Sequence, residues 1–267
     1  MRLFISVNKE ERFTPNRYYR KDLDFDAEIP LYDMLKNGRV CGTESYKLIT
    51  PVTHLAQSLT AKKIEEAVHK SPVPKNLFFI ESNSAHNISY FTAYITAAYL
   101  GKDKHPLIIN FDQHSDHGTA KGELLCSNWG GFLRQDLQCD YLVIGEPTYY
   151  SKGECSLYQS DGKRISFKIK DLASLFHKYN AFYITVDMDV LKNGIGVPKR
   201  TNWNEGIMLK EQLMSYLDLL PDDKIISADI TGLPPFETAK LTAIEKHLTQ
   251  YITDIDEIAE KLESKLK

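Results

Sequence analysis

Short apolar runs punctuate this chain at 3–7, 76–81, 106–112, 141–146, 181–189 and 224–232. Most are near-continuous blocks, such as Leu107-Ile108-Ile109 and Phe182-Tyr183-Ile184-Thr185-Val186, without alternation of apolar and polar positions. A strand with one wet face alternates; a strand without alternation is covered on both faces, as in a parallel sheet flanked by helices. Helical patterns fill the gaps. Residues 61–69 set Ile64, Ala67 and Val68 on one side, and 171–179 set Leu172, Leu175 and Phe176 on one side. Residues 88–100 are almost wholly apolar, 210–220 repeat the amphipathic theme, and 239–266 end in a charged amphipathic tail. The alternation predicts an α/β fold: a three-layer αβα sandwich with a mostly parallel central sheet, one domain spanning 1–267.

Two stretches depart from that rhythm. Residues 8–50 are rich in Arg, Tyr and Asp and read as irregular. Residues 147–169 carry Ser160-Asp161-Gly162-Lys163, a turn signal that predicts a hairpin.

Composition excludes several classes. A net charge of −3 and a pI near 6.3 give no electrostatic case for nucleic acid or an anionic membrane. No stretch approaches the roughly 18 apolar residues of a membrane span. The apolar segment 3–7 is too short for the core of a signal peptide. The four cysteines, Cys41, Cys126, Cys139 and Cys155, form no CxxC pair and read as free thiols. Together these features lead us to expect a cytoplasmic enzyme.

The chemistry sits at strand ends. Ile108-Ile109-Asn110-Phe111 runs straight into Asp112-Gln113-His114-Ser115-Asp116. In extended backbone alternate residues share a side, so Asp112, His114 and Asp116 can converge at the carboxyl edge, where open α/β sheets place ligands. A second buried strand ends in Asp187-Met188-Asp189, and a third run is followed by His86. A lone Asp after a strand is most often a turn residue or helix cap. Three such groups, each after a buried strand, are costly unless paired or metal-bound. The oxygen-rich mixture with imidazole suits two divalent ions such as Mn²⁺ better than zinc with thiolates. Paired ions about 3.5–4 Å apart share carboxylates and activate a water.

These residues resemble the arginase–agmatinase (ureohydrolase) family, whose DxHxD motif is matched by Asp112-His114-Asp116 and whose DxD motif is matched by Asp187-Met188-Asp189. The upstream His of that family is matched by His86. The resemblance implies two Mn²⁺ ions bridged by Asp112 and Asp187. His86 and Asp116 would complete one shell and His114 and Asp189 the other, with Asp189 also stabilising the tetrahedral intermediate. The departures are as informative. The family's Asn after DxHxD, which grips the head group of free arginine, is replaced by His117-Gly118. Its catalytic His-Gly pair is matched by Trp129-Gly130, and its guanidinium-binding Glu by Gly232. Its DxD continuation toward Asp-Pro reads Val190-Leu191-Lys192-Asn193 here.

The metal cradle is kept and the free-amino-acid contacts are lost, a pattern similar to the peptide arginases of ribosomal peptide natural-product pathways. That resemblance implies hydrolysis of arginine side chains within a precursor peptide, giving ornithine and urea. The alternative is a ureohydrolase acting on a small free guanidino or amide compound. An acidic residue must meet the guanidinium. Glu81 is favoured over Glu123 and Glu205, and His117 is the expected proton shuttle. The Tyr- and Arg-rich segment 12–20 offers a lining for a peptide groove.

Overall fold

A computed structural model describes residues 1–6, 23, 25–31, 50–71, 75–80, 85–100, 105–122, 124–192, 206–232 and 241–266. Its strands are β1 (Arg2–Ser6), β2 (Ala27–Pro30), β3 (Leu77–Ile80), β4 (Leu107–Phe111), β5 (Tyr141–Ile144), β6 (Glu154–Tyr158), β7 (Arg164–Lys168), β8 (Phe182–Asp187) and β9 (Ile225–Thr231). The helices are α1 (Thr50–Lys70), α2 (Ile88–Leu100), α3 (Trp129–Leu137), α4 (Pro147–Tyr150), α5 (Leu172–Phe176), α6 (Lys210–Asp218) and α7 (Leu241–Lys265). The strands form one sheet in the order β2-β1-β3-β9-β8-β4-β5-β6-β7. Every pairing from β2 to β5 is parallel, and β5-β6 and β6-β7 are antiparallel.

The unbroken apolar runs have the predicted cause. On β4, Leu107, Ile109 and Phe111 join a core shared with Leu175, Leu213, Leu217 and Ile258, from α5, α6 and α7. Ile108 points the other way, into a cluster with Ala93 of α2 and Leu133 of α3. On β3 the same split sends Phe79 to the α7 side and Phe78 to a cluster with Ile64 of α1 and Phe91 of α2. Strands sandwiched in this way have no wet face to mark with polar residues. The three-layer α/β sandwich expected from the sequence is the architecture observed.

The hairpin predicted within 147–169 is β6-β7, closed by a turn in which Gly162 has φ +92°. Sequence reading missed β2, which lies inside the stretch read as irregular and pairs in parallel with β1. Four residues carrying Ala, Glu and Pro give almost no strand signal; the edge position tolerates them because a strand there needs one partner only. α1 also starts well before the predicted 61. The segment 12–20 and all three acidic candidates, Glu81, Glu123 and Glu205, lie outside the described residues.

Arg2 ties the first strand to the last helix. Its guanidinium donates to Glu263 through Nε (2.7 Å) and Nη2 (2.9 Å), and to Asp256 (3.0 Å) and the Leu23 carbonyl (2.6 Å) through Nη1. Among the described residues no helix is long and apolar enough to cross a membrane. Cys126, Cys139 and Cys155 are free thiols.

Candidate metal centre

The C-terminal ends of β3, β8 and β4 deliver the motif residues to one place. His86 follows β3, Asp112 to Asp116 follow β4, and Asp187 closes β8 with Asp189 just beyond. β8 lies between β4 and β9, so the Asp112 and Asp187 segments are neighbours, and His86 meets them from the β3 side of β9. His86 Nδ1 stands 3.3 Å from Asp112 Oδ2, 2.9 Å from Asp116 Oδ2 and 3.4 Å from Asp187 Oδ2. His114 Nδ1 stands 3.4 Å from Asp112 Oδ1 and 3.3 Å from Asp189 Oδ2. Two groups, His86-Asp112-Asp116 and Asp112-His114-Asp189, therefore share Asp112, with one oxygen of its carboxylate directed to each.

The local backbone differs from the extended run expected after β4 and β8. Asp112 Oδ1 accepts from the His114 N–H (2.7 Å) and Asp187 Oδ1 from the Asp189 N–H (3.0 Å). Each of these carboxylates thus turns the chain within two residues, an Asx-type turn. Residues 188–190 form a 3₁₀ turn. Asp116 has φ +46°, a left-handed conformation that Asp tolerates better than most residues. The ligands converge because the strand stops and folds over, not because it continues.

Electrostatics explain how so many carboxylates sit together. Asp112 is fully buried; burial alone would raise its pKa, but hydrogen bonds to His114 and His86 hold it well below the usual carboxylate range. Burial would lower His86, yet Asp112 and Asp116, then the Asp187 charge, raise it well above an ordinary imidazole. His114 likewise climbs against burial to about 11, beside Asp112 and Asp189. Burial and the Asp112 charge push Asp116 up to about 6. Burial, then Asp189 and Asp112, raise Asp187, and burial, then Asp112, raise Asp189. Without ions the two imidazolium rings act as counter-ions to the carboxylates.

The residues fit a pair of divalent ions. His86 Nδ1 is buried among three carboxylates, within 3.4 Å of each, and Asp189 Oδ1 is buried with no hydrogen-bond partner among the described residues. Imidazole nitrogens and carboxylate oxygens gathered within 4.8 Å of one another in each group can share a cation, and two imidazoles among carboxylates match manganese-type chemistry. His86 is oriented from behind: its Nε2 lies 3.0 Å from Thr185 Oγ1, the outer contact that aims a ligating His.

Several supporting residues escaped the sequence reading. Asn110 Nδ2 donates to Asp112 Oδ2 (3.1 Å) and lies 2.9 Å from the Tyr141 hydroxyl. Trp129 Nε1 donates to Asp116 Oδ2 at 3.0 Å. Asp229 is buried in β9, where the Tyr183 hydroxyl (2.6 Å) and Thr92 hydroxyl (3.2 Å) donate to its Oδ2. Polar residues inside the apolar runs, Asn110, Thr185 and Asp229, were the available signal, because a buried polar group in a strand needs a partner.

His117 sits beside the centre in a different environment. Its ring stacks on Tyr158 with centroids 3.8 Å apart, and its Nε2 accepts from Arg134 Nε at 2.9 Å. Burial, then the Arg134 charge, lower its pKa to about 4. With Nε2 accepting from Arg134 the neutral ring keeps its one proton on Nδ1, and it is held neutral rather than poised near pH 7 as the expected proton shuttle would be. Gly232, at the position of the family's Glu, has φ +86°, and its carbonyl accepts from the Tyr251 hydroxyl at 2.5 Å.

The loop carrying Asp116 is locked onto the start of α3. The Gly130 N–H donates to the Asp116 carbonyl (3.0 Å) and the Gly118 N–H to the Ser127 carbonyl (3.1 Å). A Cβ on Gly130 would meet the Tyr141 ring at 2.5 Å, and one on Gly131 would overlap the Gly118 carbonyl oxygen. Gly131→Ala is expected to destabilise the fold by about 1–3 kcal/mol, since backbone rather than a movable side chain must give way. Thermal melting checks this; an unchanged melting temperature would show the loop free to shift.

Comparison with known proteins agrees on the fold. Helicobacter pylori arginase superposes with a TM-score of 0.62 at 13% identity, covering 99% of each chain. Proclavaminate amidino hydrolase from Streptomyces clavuligerus gives 0.59 at 15%, covering 98% of this chain and 89% of its own. Formimidoylglutamase from Bacillus subtilis gives 0.54 at 15%, covering 96% and 86%. The architecture is thus the arginase, or ureohydrolase, fold. A Thermotoga maritima protein described as uncharacterized is 28% identical over 191 residues, 69% of this chain and 70% of its own length. No family model matches the chain.

Proposed function

We propose that this chain is a metal-dependent hydrolase of guanidinium groups, loaded with two Mn²⁺ ions and acting on arginine side chains of a precursor peptide to give ornithine and urea. The observation that carries this reading is the pair of His/Asp groups sharing Asp112 at the carboxyl edge of an arginase-fold sheet. When bound, the ions supply Lewis acidity and an activated water. His86, Asp112, Asp116 and Asp187 would hold one, and Asp112, His114, Asp187 and Asp189 the other. Asp189 would also meet the positive guanidinium: among the described residues its buried Oδ1 has no hydrogen-bond partner, which leaves it to accept from an N–H. Glu81 would add the second acidic contact. The whole chain would work as one domain in the cytoplasm, a reducing compartment that suits its free thiols.

The peptide substrate is supported by His117-Gly118, which stand where the family has its head-group Asn: the His117 ring stacks on Tyr158 and its Nε2 accepts from Arg134. A peptide-linked arginine has no free head group to bind, so this loss costs it nothing. The names of the fold relatives, arginase and proclavaminate amidino hydrolase, favour a second reading: a small free guanidino compound.

One experiment separates the two. Protein loaded with Mn²⁺ is incubated with arginine-containing peptides, free arginine and agmatine, and products are read by mass spectrometry and urea assay. We expect each modified peptide arginine to lose about 42 Da as hydrolysis releases urea. Turnover of free arginine or agmatine with peptides untouched would establish the second reading. Inertness toward all of them, with both ions bound, would sink both.

A further inference from the structure

The two halves of the centre are supported unequally, and the difference lies in Trp129. This residue opens α3 and is fully buried. Its Nε1–H donates to Asp116 Oδ2 at 3.0 Å, the same oxygen that stands 2.9 Å from His86 Nδ1. Its ring packs on the His86 ring with centroids 4.9 Å apart, and Tyr141 braces it from the side at 5.6 Å in an edge-on contact. Indole has one donor and no acceptor, so Trp129 cannot itself ligate a cation. A carboxylate oxygen that accepts one N–H still has a lone pair for an ion. Asp116, at φ +46°, is therefore held at both ends: its carbonyl by the Gly130 N–H and its carboxylate by the neighbouring indole.

The other half is more open. The His114 side chain is 36% exposed against 1% for His86, and among the described residues Asp189 Oδ1 has no hydrogen-bond partner. We propose that Trp129 is a positioning residue that pre-forms the His86-Asp112-Asp116 subsite, so that this subsite takes the first ion and the His114-Asp189 side takes the second. The inference rests on the metal-centre reading above. A group that orients a ligand is worth about 10- to 100-fold in metal affinity.

The test is a Mn²⁺ titration of the full chain, with bound metal counted by elemental analysis and each step followed by calorimetry. Wild-type protein should fill in two steps. Trp129→Phe, which keeps a ring but removes the N–H, should weaken the tighter step about 10- to 100-fold and move the other little. The chain has two tryptophans, Trp129 and Trp203. In a Trp203→Phe background, emission from Trp129 should be quenched by the first equivalent of Mn²⁺. Asp116→Asn should abolish that quench and Asp189→Asn should leave it. This second arm retains Trp129, so it decides the matter even if Trp129→Phe fails to fold. Unchanged affinities in Trp129→Phe, or a quench that follows the second equivalent, would overturn the proposal and leave the metal centre intact. Absence of Mn²⁺ uptake by wild-type protein would overturn both.

Discussion

Asparagine in place of Asp112 is expected to eliminate stable occupancy of both ion positions. The carboxylate is fully buried, and its two oxygens face His86 and His114 separately. Among the described residues it alone joins the two His/Asp groups, with Asp187 as the other carboxylate that would reach both ions. An amide keeps the shape and the hydrogen bond from the His114 N–H but loses the negative charge and one acceptor oxygen. Bound Mn²⁺ should fall from two per chain to less than one, and turnover should fall by more than about 100-fold, beyond the loss of a merely supporting contact. Melting curves supply an independent readout. At a free ion concentration about 100 times its dissociation constant, wild-type protein gains about 2.7 kcal/mol of stability, and the variant should gain none. Full Mn²⁺ loading of Asp112→Asn would remove the basis for a shared centre.

The second large effect is proton linkage. His86 and His114 have folded-state pKa values raised above 6.5, to about 11 for His114. Their contribution to the ion-free fold is complete below the unfolded value and is lost as pH rises through the folded values. Asp116, raised to about 6, and Asp187 and Asp189, also raised, have the same sign. Each holds its proton more tightly in the folded chain, and that advantage fades as pH rises past the usual carboxylate range. Asp112 is depressed and has the opposite sign, contributing above its usual range. The raised groups outnumber it, so the ion-free protein should lose stability from about pH 5 to about pH 9 while the Mn²⁺ form should not. Ion binding must displace the imidazole protons. Mn²⁺ affinity should therefore rise about tenfold per pH unit for each proton displaced. Calorimetry in buffers of different ionisation enthalpy counts the protons released. Affinity that does not change with pH would mean that the imidazoles are neutral before the ion arrives.

How much of this was legible in the sequence depends on range. The central strands were readable because burial on both faces imposes a local signature, as in Leu107 to Phe111 and Phe182 to Val186. The ligand residues were readable because Asp112-His114-Asp116 and Asp187-Asp189 announce themselves within five residues. β2 was not readable, since its existence depends on pairing with β1 rather than on its own Ala-Glu-Ile-Pro. Nor was the bond from Trp129 to Asp116: thirteen residues separate them, and only the close packing of Gly118, Gly130 and Gly131 brings them together. His117 shows the converse limit. Adjacency to a ligand suggested a proton carrier, but its chemistry is set by Arg134 and Tyr158, which arrive from α3 and β6.

The strand order also divides the centre. Among the described strands β9 comes last in the chain, and it is inserted between β3 and β8. It therefore sets the spacing between the strand that leads to His86 and the strand that ends at Asp187, two residues whose Nδ1 and Oδ2 atoms stand 3.4 Å apart. β4 and β8 pair directly, so Asp112, His114 and Asp189 keep their register whatever happens to residues 225–231. A defect in β9 would in this way fall on one side of the cradle and spare the other.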